Sequence, residues 1–501
     1  MPKLTKLSKN VLIVASIFFL DKVLAFARVG LITRKYKDSV DMLDTFNAAN
    51  NLPDVLFALI SGGALAMAFI PLLTETLTNK DRAAAWDLFS RVANVAFLVT
   101  GGFAILISIF AEPIVNAKFG IAPGFSAEQR ALLAELMRLN LISTLIFSIS
   151  GLVMASLQAN QHFVLPAIAP IMYNVGQVIG VIFLVPLYGI HGLVYGVILG
   201  AAFHLAIQIP ALIKFGFRWT ASLNLRHSGL IEALKLMWPR LLTMGGIQLI
   251  MLARDNIASQ LGQEGAVSAL TYGWMIMQVP ETILGTALAT AMLPALSELA
   301  TRRAWGGFRD TVERALQVLI ALTLPAAAIL AAGIAPLVRA VFGLDEASST
   351  LVTWTTRAYL LMLTGFTIHE VAVRAFYARK EPLYPLYAVL LRVALFLSIS
   401  AIGLKLFPAV GAPMIALAES ALLIEAIVLL WWLSRRTHQP LVVSGAVQRG
   451  LVAALIGGGA AYSVAVFVPG GAIVTALLGM SIGTSIALTI TWRDVRQVFS
   501  L

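Results

Sequence analysis

The chain has 501 residues, of which 59% are hydrophobic and only 12% are charged, and its formal net charge is +11. Soluble domains carry about 25% charged residues, so this composition excludes an ordinary soluble protein. The chain contains no cysteine, which excludes disulfides and thiol chemistry, and its basic excess lies in short loops, which is typical of membrane topology rather than of nucleic-acid binding.

Long apolar runs recur along the whole chain. The runs at 11–32, 88–110 and 141–157 have about the 20 residues that a helix needs to cross a bilayer. The first run follows a basic N-terminus, but it exceeds a signal-peptide core and lacks a small-residue cleavage site, so we expect a retained helix. The runs predict an all-α polytopic membrane protein with about fourteen transmembrane helices. They start near residues 11, 52, 86, 131, 164, 189, 232, 267, 310, 350, 384, 410, 447 and 470.

The charges of the loops predict the orientation. Loops after even-numbered spans are basic, with pairs such as Arg302-Arg303 and Arg435-Arg436, whereas 185–192 and 262–268 contain no lysine or arginine. The exception is the basic stretch at 34–37, which falls on the external side. We therefore expect a multi-pass protein of the bacterial cytoplasmic (inner) membrane with both termini in the cytoplasm.

An internal repeat links the second and eighth spans. Residues 62–75 resemble residues 285–298, and Pro71 matches Pro294 as Glu75 matches Glu298. The offset implies six spans per repeat, so the two halves would share one orientation, as in transporters built from parallel repeats. Chance similarity between helices rich in small residues is the alternative. We predict an N-lobe at 1–220, a C-lobe at 221–440 and two extra spans at 441–501.

Span one carries three charges, Asp21, Lys22 and Arg28, and Asp21 lies near the middle of the bilayer. A charge at that depth costs about 2.5–3.5 kcal/mol on insertion scales, so it must be paired or reach water. Asp21 and Arg28 are seven residues apart and share a helix face, so they can neutralise each other. Alternatively, span one forms a cationic wall for an anionic head group, because arginine binds phosphate through two hydrogen bonds.

Span seven contains the adjacent charges Arg254 and Asp255. Neighbouring residues diverge by about 100° on a helix, so we expect that they do not form a simple pair. Arg254 is a candidate for the same cavity as Arg28, while Asp255 is a candidate for binding a cation or the charge of Arg392 in span eleven. A structural ion-pair network is the alternative.

Acidic residues elsewhere are further candidates. Asp44 and Asp54 flank the start of span two, where a carboxylate in the first turn also favours the helix dipole. A histidine in the membrane can titrate, although a lone histidine more often packs in a core. The second half carries the intramembrane residues His369, Glu370, Glu419 and Glu425.

No motif indicates an enzyme. The sequence contains no nucleotide-binding loop, no nucleophile elbow and no zinc-type histidine spacing. We therefore expect no catalytic residue, cofactor or metal, and we expect any energy input to come from ion gradients or the membrane potential.

Several motifs are similar to those of one transporter family. They include Val-Leu-Ala-Phe-Ala-Arg at 23–28, Leu-Pro-Asp-Val-Leu-Phe at 52–57, Pro-Ala-Ile-Ala-Pro at 166–170 and Arg-Ala-Phe-Tyr-Ala at 374–378. Together they resemble the MurJ (MviN) family of the multidrug/oligosaccharidyl-lipid/polysaccharide exporter superfamily. The resemblance extends from span one to at least span ten.

The resemblance implies a two-lobed fold with a central cationic cavity and a groove for a lipid tail at spans thirteen and fourteen. It implies that the chain flips lipid II, an undecaprenyl-pyrophosphate-linked precursor, from the inner to the outer leaflet by alternating access. Peptidoglycan synthesis, cell-wall biogenesis and cell shape would depend on that step. The partners would be lipid II or a similar polyprenyl-pyrophosphate lipid and membrane lipids, with the chain acting as a monomer and without nucleic acid.

Three alternatives remain at this point. They are export of another polyprenyl-linked oligosaccharide, a multidrug antiporter and a scaffold for cell-wall synthases.

The resemblance also assigns residues by position. Arg28 matches a family cavity arginine, Lys22 stands where an arginine is common, Asp44 matches an acid before span two, and Asp255 matches a span-seven aspartate. The predicted substrate-binding residues are Lys22, Arg28, Asp44, Asp54 and Arg254, and the predicted ion-coupling or ion-pair residues are Asp255 and Arg392.

This chain departs from the family pattern at four places. Phe57 replaces an arginine of some members, an acid is absent near Gly62, an arginine is absent near Met275, and Ala25 replaces a glycine expected to help span one bend. Our hypothesis is that Arg254 supplies cavity charge lost elsewhere, and that Arg392 replaces a bound cation beside Asp255.

Overall fold

The computed structural model describes residues 6–62, 64–79, 81–223, 228–437 and 440–497, so residue 63 of the repeat lies outside the described residues. The described residues form α-helices with short 3-10 and π-helical segments, and they contain no β-strand. They divide into two compact units, Met1–Gln260 and Leu261–Leu501. The prediction of an all-α protein is confirmed.

The first unit contains seven helical spans. Span two is divided into three segments, and the other spans are continuous helical stretches. The bounds are Lys6–Lys35 for span one, Asn51–Leu56, Phe57–Gly62 and Ala64–Asn79 for span two, Arg82–Ile109 for span three, Ala127–Ala159 for span four, Val164–Tyr188 for span five, His191–Lys214 for span six and Ser228–Ser259 for span seven. Two shorter helices, Val40–Ala49 and Ala111–Asn116, lie in connecting loops.

The second unit contains the next seven spans. The bounds are Ala266–Pro280, Glu281–Thr286 and Ala287–Thr301 for span eight, Trp305–Phe342 for span nine, Glu346–Leu360 and Leu363–Ala378 for span ten, Leu383–Leu406 for span eleven, Ala412–Ala418 and Ala421–Thr437 for span twelve, Ser444–Phe467 for span thirteen and Ala472–Val495 for span fourteen. A 3-10 turn, Pro408–Val410, precedes span twelve. The predicted count of about fourteen spans is confirmed for the described residues, nine of whose helices are long and apolar enough by themselves to cross a membrane.

Polar side chains mark where three spans begin. The Asp81 carboxylate accepts a hydrogen bond from the Ala84 backbone N–H at 2.7 Å, and Ser126 forms a reciprocal capping box with Gln129. Asp345 caps span ten, and hydrogen bonds from the Ser348 side chain and from nearby backbone amides lower its pKa. A lowered pKa means that the folded chain favours the ionised carboxylate of Asp345. The stabilisation by this cap is therefore lost as the pH falls through that pKa.

The internal repeat coincides with a π-helical segment in each unit. Phe57–Gly62 precedes Ala64–Asn79 in the first unit, and Glu281–Thr286 precedes Ala287–Thr301 in the second. π-helical turns are rare and often lie at functional sites. Two similar sequences thus carry the same local distortion, which supports a true repeat over chance similarity.

The compact units divide after Gln260, because span seven contacts span two and packs within the first unit. The lobes at 1–220 and 221–440 were predicted from the repeat of six spans and not from compactness. That division of the chain stays a prediction.

Spans thirteen and fourteen pack against each other and against span nine. Arg449 donates two hydrogen bonds of 2.6 Å to the Asp494 carboxylate, which joins the two spans at one end. Gly457 and Gly483 let their backbones approach closely further along. The two C-terminal spans are therefore built onto the second unit.

Glycines determine how closely spans five and six approach. Gly176 and Gly180 in span five face Gly200 and Gly196 in span six, and a Cβ on Gly180 would lie 2.6 Å from the Gly196 Cα. A Cβ on Gly176 would overlap the Gly200 backbone. Small residues spaced four apart commonly allow such close packing of membrane helices.

We expect Gly176→Ala to lower the unfolding free energy by about 1–3 kcal/mol, because the added methyl group must push the two helices apart. The measurement is the thermal unfolding midpoint of the purified chain in detergent. Gly102→Ala is the matched control, since a Cβ at Gly102 meets no atom within 4 Å. Equal midpoints for the two variants would contradict this account of the contact.

Candidate functional site

A cavity of about 230 Å³ lies inside the first unit. Spans two, four, five and six contribute to its wall, together with Asn50 just before span two. Since one water molecule takes about 30 Å³ of liquid, the cavity can hold a few waters or a small polar group. Its polar lining residues are Asn50, Asp54, Asn140, Ser143, Thr144, Tyr173 and His204.

The break before span two positions the acidic side of this cavity. Asn50 lies between two helices, donates to the Phe46 carbonyl at 2.9 Å and accepts a hydrogen bond from the Asn140 amide of span four. Pro53 follows in the first helical turn, where its missing N–H costs nothing, and Thr144 donates to its carbonyl at 3.5 Å. The neighbouring Asp54 side chain therefore points into the cavity and is accessible there.

Aromatic rings form the opposite side of the cavity. The Phe147 ring lies at the centre of these aromatic rings. Its centroid is 5.3 Å from that of Phe57, 5.2 Å from that of Tyr173 and 5.3 Å from that of His204. The buried His204 ring is held by Ser150, whose hydroxyl lies 2.6 Å from its Nδ1. Phe57, which stands where some family members have arginine, thus belongs to a packed aromatic cluster.

Span one brings its charges to the edge of this cavity. Asp21 accepts a 2.8 Å hydrogen bond from Asn174 in span five, and the adjacent Tyr173 lies near both Arg28 and Asp54. Arg28 is half-buried, and the Lys22 side chain is exposed. Two of the predicted substrate-binding residues, Arg28 and Asp54, are therefore brought to one tyrosine.

Asp21 also interacts electrostatically with Lys22 and Arg28. The negative charge of Asp21 is thus offset by Lys22, Arg28 and the Asn174 amide together. Neutralisation of Asp21 by Arg28 and a cationic wall for a head group are therefore compatible interpretations of span one. Span one is one unbroken helix, with Ala25 in its interior.

The expectation that Arg254 and Asp255 do not pair is wrong. The Arg254 Nε lies 2.7 Å from the Asp255 Oδ1, and the other carboxylate oxygen accepts a 2.8 Å hydrogen bond from Asn51. The helical divergence of about 100° applies to Cβ positions, whereas the long arginine side chain folds back to its neighbour. Arg254 is 6% exposed and Asp255 is 1% exposed, so this ion pair is buried against span two.

The end of span seven is covered by the loop before span four. Asn256 donates a 2.5 Å hydrogen bond to the Gly120 carbonyl, and the Gly124 N–H donates to the Ser259 hydroxyl at 3.3 Å. A Cβ on Gly124 would overlap the Ser259 carbonyl, so only glycine allows this approach. Together with the Asn51–Asp255 bond, this contact closes one end of the first unit.

Two further predicted residues, Asp44 and Arg392, do not line the cavity. Asp44 is buried in the helix Val40–Ala49, with 4% of its surface exposed. Arg392 was proposed to lie beside Asp255. Its ion-pair partners are Glu419, at 2.9 Å, and Glu425, at 3.7 Å, within the second unit.

Asn50, Asn140 and His204 line the cavity but were not predicted from the sequence. Neutral polar residues are common in packed helices, so their types alone carry little signal. The polar pair Asn50-Asn51, which ends two residues before Pro53 at the start of span two, was the clue available.

A helical protein with fourteen spans, a repeated π-helical distortion and buried charges within its spans has the architecture of a multi-pass membrane transporter. Solved structures share this fold. One titled "Lipid II flippase MurJ, inward closed conformation" has a TM-score of 0.80 at 21% identity and covers 97% of this chain and 100% of that chain. An inward-facing multidrug resistance MATE family transporter of the MOP superfamily has a TM-score of 0.69 at 14% identity, covering 85% and 98%.

The sequence narrows this class to one family. The family model described as "Lipid II flippase MurJ" matches residues 40–482, and the chain belongs to that family. A lipid II flippase MurJ of Burkholderia cenocepacia is 29% identical over 386 residues, 75% of this chain and 74% of the relative. A probable lipid II flippase MurJ of Rhizobium tropici is 28% identical over 444 residues, 82% and 80%.

We expect Asp255→Asn to destabilise the chain by about 3–5 kcal/mol, because it leaves the Arg254 charge buried without its carboxylate. The unfolding midpoint in detergent reports this loss. Glu298→Gln is the control, since it breaks an ion pair with Arg302 whose side chains are 61% and 72% exposed, and such pairs contribute below about 1 kcal/mol.

The double variant Arg254→Met/Asp255→Asn removes both charges and should recover most of the lost stability. A double variant that is less stable than Asp255→Asn alone would contradict a paired burial of the two charges.

Proposed function

We propose that this chain flips lipid II, a polyprenyl-pyrophosphate-linked peptidoglycan precursor, from the inner to the outer leaflet of the bacterial cytoplasmic membrane by alternating access. The observation that carries the proposal is the family match over residues 40–482, which includes every residue lining the cavity. The two relatives described above, both named for this activity, match 75% and 82% of the chain.

The charges of span one suit the head group of such a lipid. A pyrophosphate is a compact anion, and a guanidinium can bind two of its oxygens at once. We propose that Arg28 binds the pyrophosphate, that Lys22 adds a second cation, and that Asp54 hydrogen-bonds hydroxyl or amide groups of the attached sugar and peptide. The position of Arg28 and Asp54 around Tyr173 supports this division of roles.

Asp44 and Arg254 are also proposed to bind substrate, although both are buried in this conformation. For Arg254 to do so, its pair with Asp255 must open. We propose that span seven then also leaves Asn51 of span two and Gly120 of the loop before span four, which it contacts in this conformation.

The lipid tail needs an apolar surface. Spans thirteen and fourteen expose large apolar side chains, among them Leu455 and Phe467 at 76% each. We propose that the polyprenyl chain lies along these spans. We also propose that the chain acts as a monomer, because a single chain contains both compact units.

We expect the wild-type chain to restore growth to a bacterium depleted of its own lipid II flippase. Arg28→Ala should fail, because losing a charge-assisted hydrogen bond costs about 1.5–3 kcal/mol, roughly a 10- to 150-fold loss of affinity. Arg28→Lys should restore growth in part. Colony counts, with immunoblots of membrane levels, provide the measurement.

Lys405→Ala is the matched control, since Lys405 is exposed at the end of span eleven and should be dispensable. If the wild-type chain reaches the membrane in normal amounts and still fails, the substrate is another polyprenyl-linked oligosaccharide. If Arg28→Ala restores growth fully, the role given to span one is wrong.

We further propose that both termini lie in the cytoplasm. The support is the distribution of basic residues among the loops, which places Arg302-Arg303 and Arg435-Arg436 on the side of the N-terminus.

A green fluorescent protein fused after residue 501 should therefore fluoresce, because it folds in the cytoplasm. Alkaline phosphatase inserted in the loop at 262–265 should be active, because it requires the external compartment. The opposite pair of activities would reverse the orientation.

A further inference from the structure

Four ionisable side chains meet inside the second unit, and we name them the Arg392 cluster. Arg392 of span eleven donates to Glu419 of span twelve at 2.9 Å, and its other terminal nitrogen lies 3.7 Å from Glu425. His369 of span ten has its Nε2 3.2 Å from the second oxygen of Glu425. All four side chains are buried, with the two glutamates at 0% exposure.

The cluster lies deep in the membrane-spanning region. Arg392 is nine residues beyond the start of span eleven, which places it about 14 Å along the helix at 1.5 Å per residue. The hydrocarbon layer is about 30 Å thick, so this depth is near its middle. The ring of Phe366 packs against the guanidinium, with 5.7 Å between the Arg392 Cζ and the ring centroid, and helps exclude water.

The charges of the cluster do not balance without a proton. Two carboxylates and one guanidinium, with a neutral imidazole, carry a net charge of −1. A net charge in this environment is costly, and one added proton removes it. Histidine is the side chain that exchanges protons near neutral pH.

The geometry points to a proton-binding site. We propose that the His369–Glu425 pair holds one exchangeable proton, taken up from water and returned to water, with Arg392 as the fixed counter-charge. The Arg392 guanidinium already pairs with both glutamates, so the two carboxylates have a fixed cationic partner. The proposal therefore favours a proton over sodium as the exchanged ion.

Other charged groups near the cluster have partners elsewhere. Glu370, next to His369, pairs with Arg374, and Glu281 of span eight interacts electrostatically with that pair. Span nine packs against span ten, and its sequence has no charged residue between positions 315 and 338. It contributes the Thr323 hydroxyl, which bonds to the Thr364 hydroxyl at 3.0 Å.

The cluster lies at one helix break, at Glu419, and His369 is six residues beyond a second break. Span ten is interrupted between Leu360 and Leu363, and span twelve is interrupted at Glu419 and Ser420, whereas span eleven is continuous. Residues at the ends of helical segments can act as hinges, because they absorb large changes in the backbone angles. The proton therefore determines how firmly Arg392 joins span eleven to the segment Ala421–Thr437. Its use in transport rests on the proposed function, whereas proton binding does not.

The test is nuclear magnetic resonance of the full chain in liposomes, with all six histidines labelled with ¹⁵N. One imidazole resonance should change as the proton binds, and that resonance should be absent from His369→Gln. Glu425→Gln should move its midpoint by about one pH unit or more, a tenfold change in proton affinity. Glu346→Gln, at an exposed carboxylate outside the cluster, should leave it unchanged.

Sodium provides the decisive control. Replacing choline chloride with sodium chloride at constant ionic strength should not move the His369 midpoint. A midpoint that moves with sodium would overturn the proposal in favour of a metal cation site, and a His369 that never titrates would overturn proton binding. The liposomes contain no lipid substrate. A failure of the growth test for lipid II flipping would therefore leave the result of this titration unaffected.

The pivot is tested separately. Because the chain has no cysteine, spin labels can be placed on cysteines introduced at the exposed positions Tyr387 and Ile427. The distance between them should differ between about pH 5 and 8, the range over which histidine titrates, and this change should vanish in Glu425→Gln. A constant distance in the parent chain would overturn the coupling of the proton to the helix break.

Discussion

The cost of a charge in hydrocarbon is the constraint on which this structure depends. Each unit meets it with a buried network rather than with exposure to water. In the first unit Asp255 is bound by Arg254 and by Asn51, and in the second Arg392 is bound by Glu419 and Glu425. The Asn51–Asp255 bond and the ion pairs of Arg392 join different spans, so the contacts that neutralise charges also determine which helices are held together.

The networks require helices that approach closely and bend where necessary. Spans five and six touch through glycines such as Gly176 and Gly200, where a methyl group would not fit. Spans two and eight carry π-helical segments, and spans ten and twelve are interrupted. A transporter must have alternative arrangements of its helices, and these interruptions are the places where the backbone can change without loss of a whole span.

Much of the architecture could be predicted because its signals are local. Apolar run length and loop composition predict each span from about twenty neighbouring residues, which is why all fourteen starts lie within about five residues of those observed. The repeat was visible for the same reason, since it is a comparison of two short segments. Asp54, which lines the cavity, and Arg28, near its edge, could be selected because a charge in or beside an apolar run is conspicuous.

The sequence alone thus determined the fold class, the number of spans and the family motifs, because each follows from short stretches of chain. Only the tertiary structure decided the partners of the charged residues. Arg254 pairs with its own neighbour because a long side chain can fold back, and Arg392 pairs with span twelve because that helix packs beside span eleven. Side-chain conformation and helix neighbours are set by contacts between residues far apart in sequence, which no local pattern records.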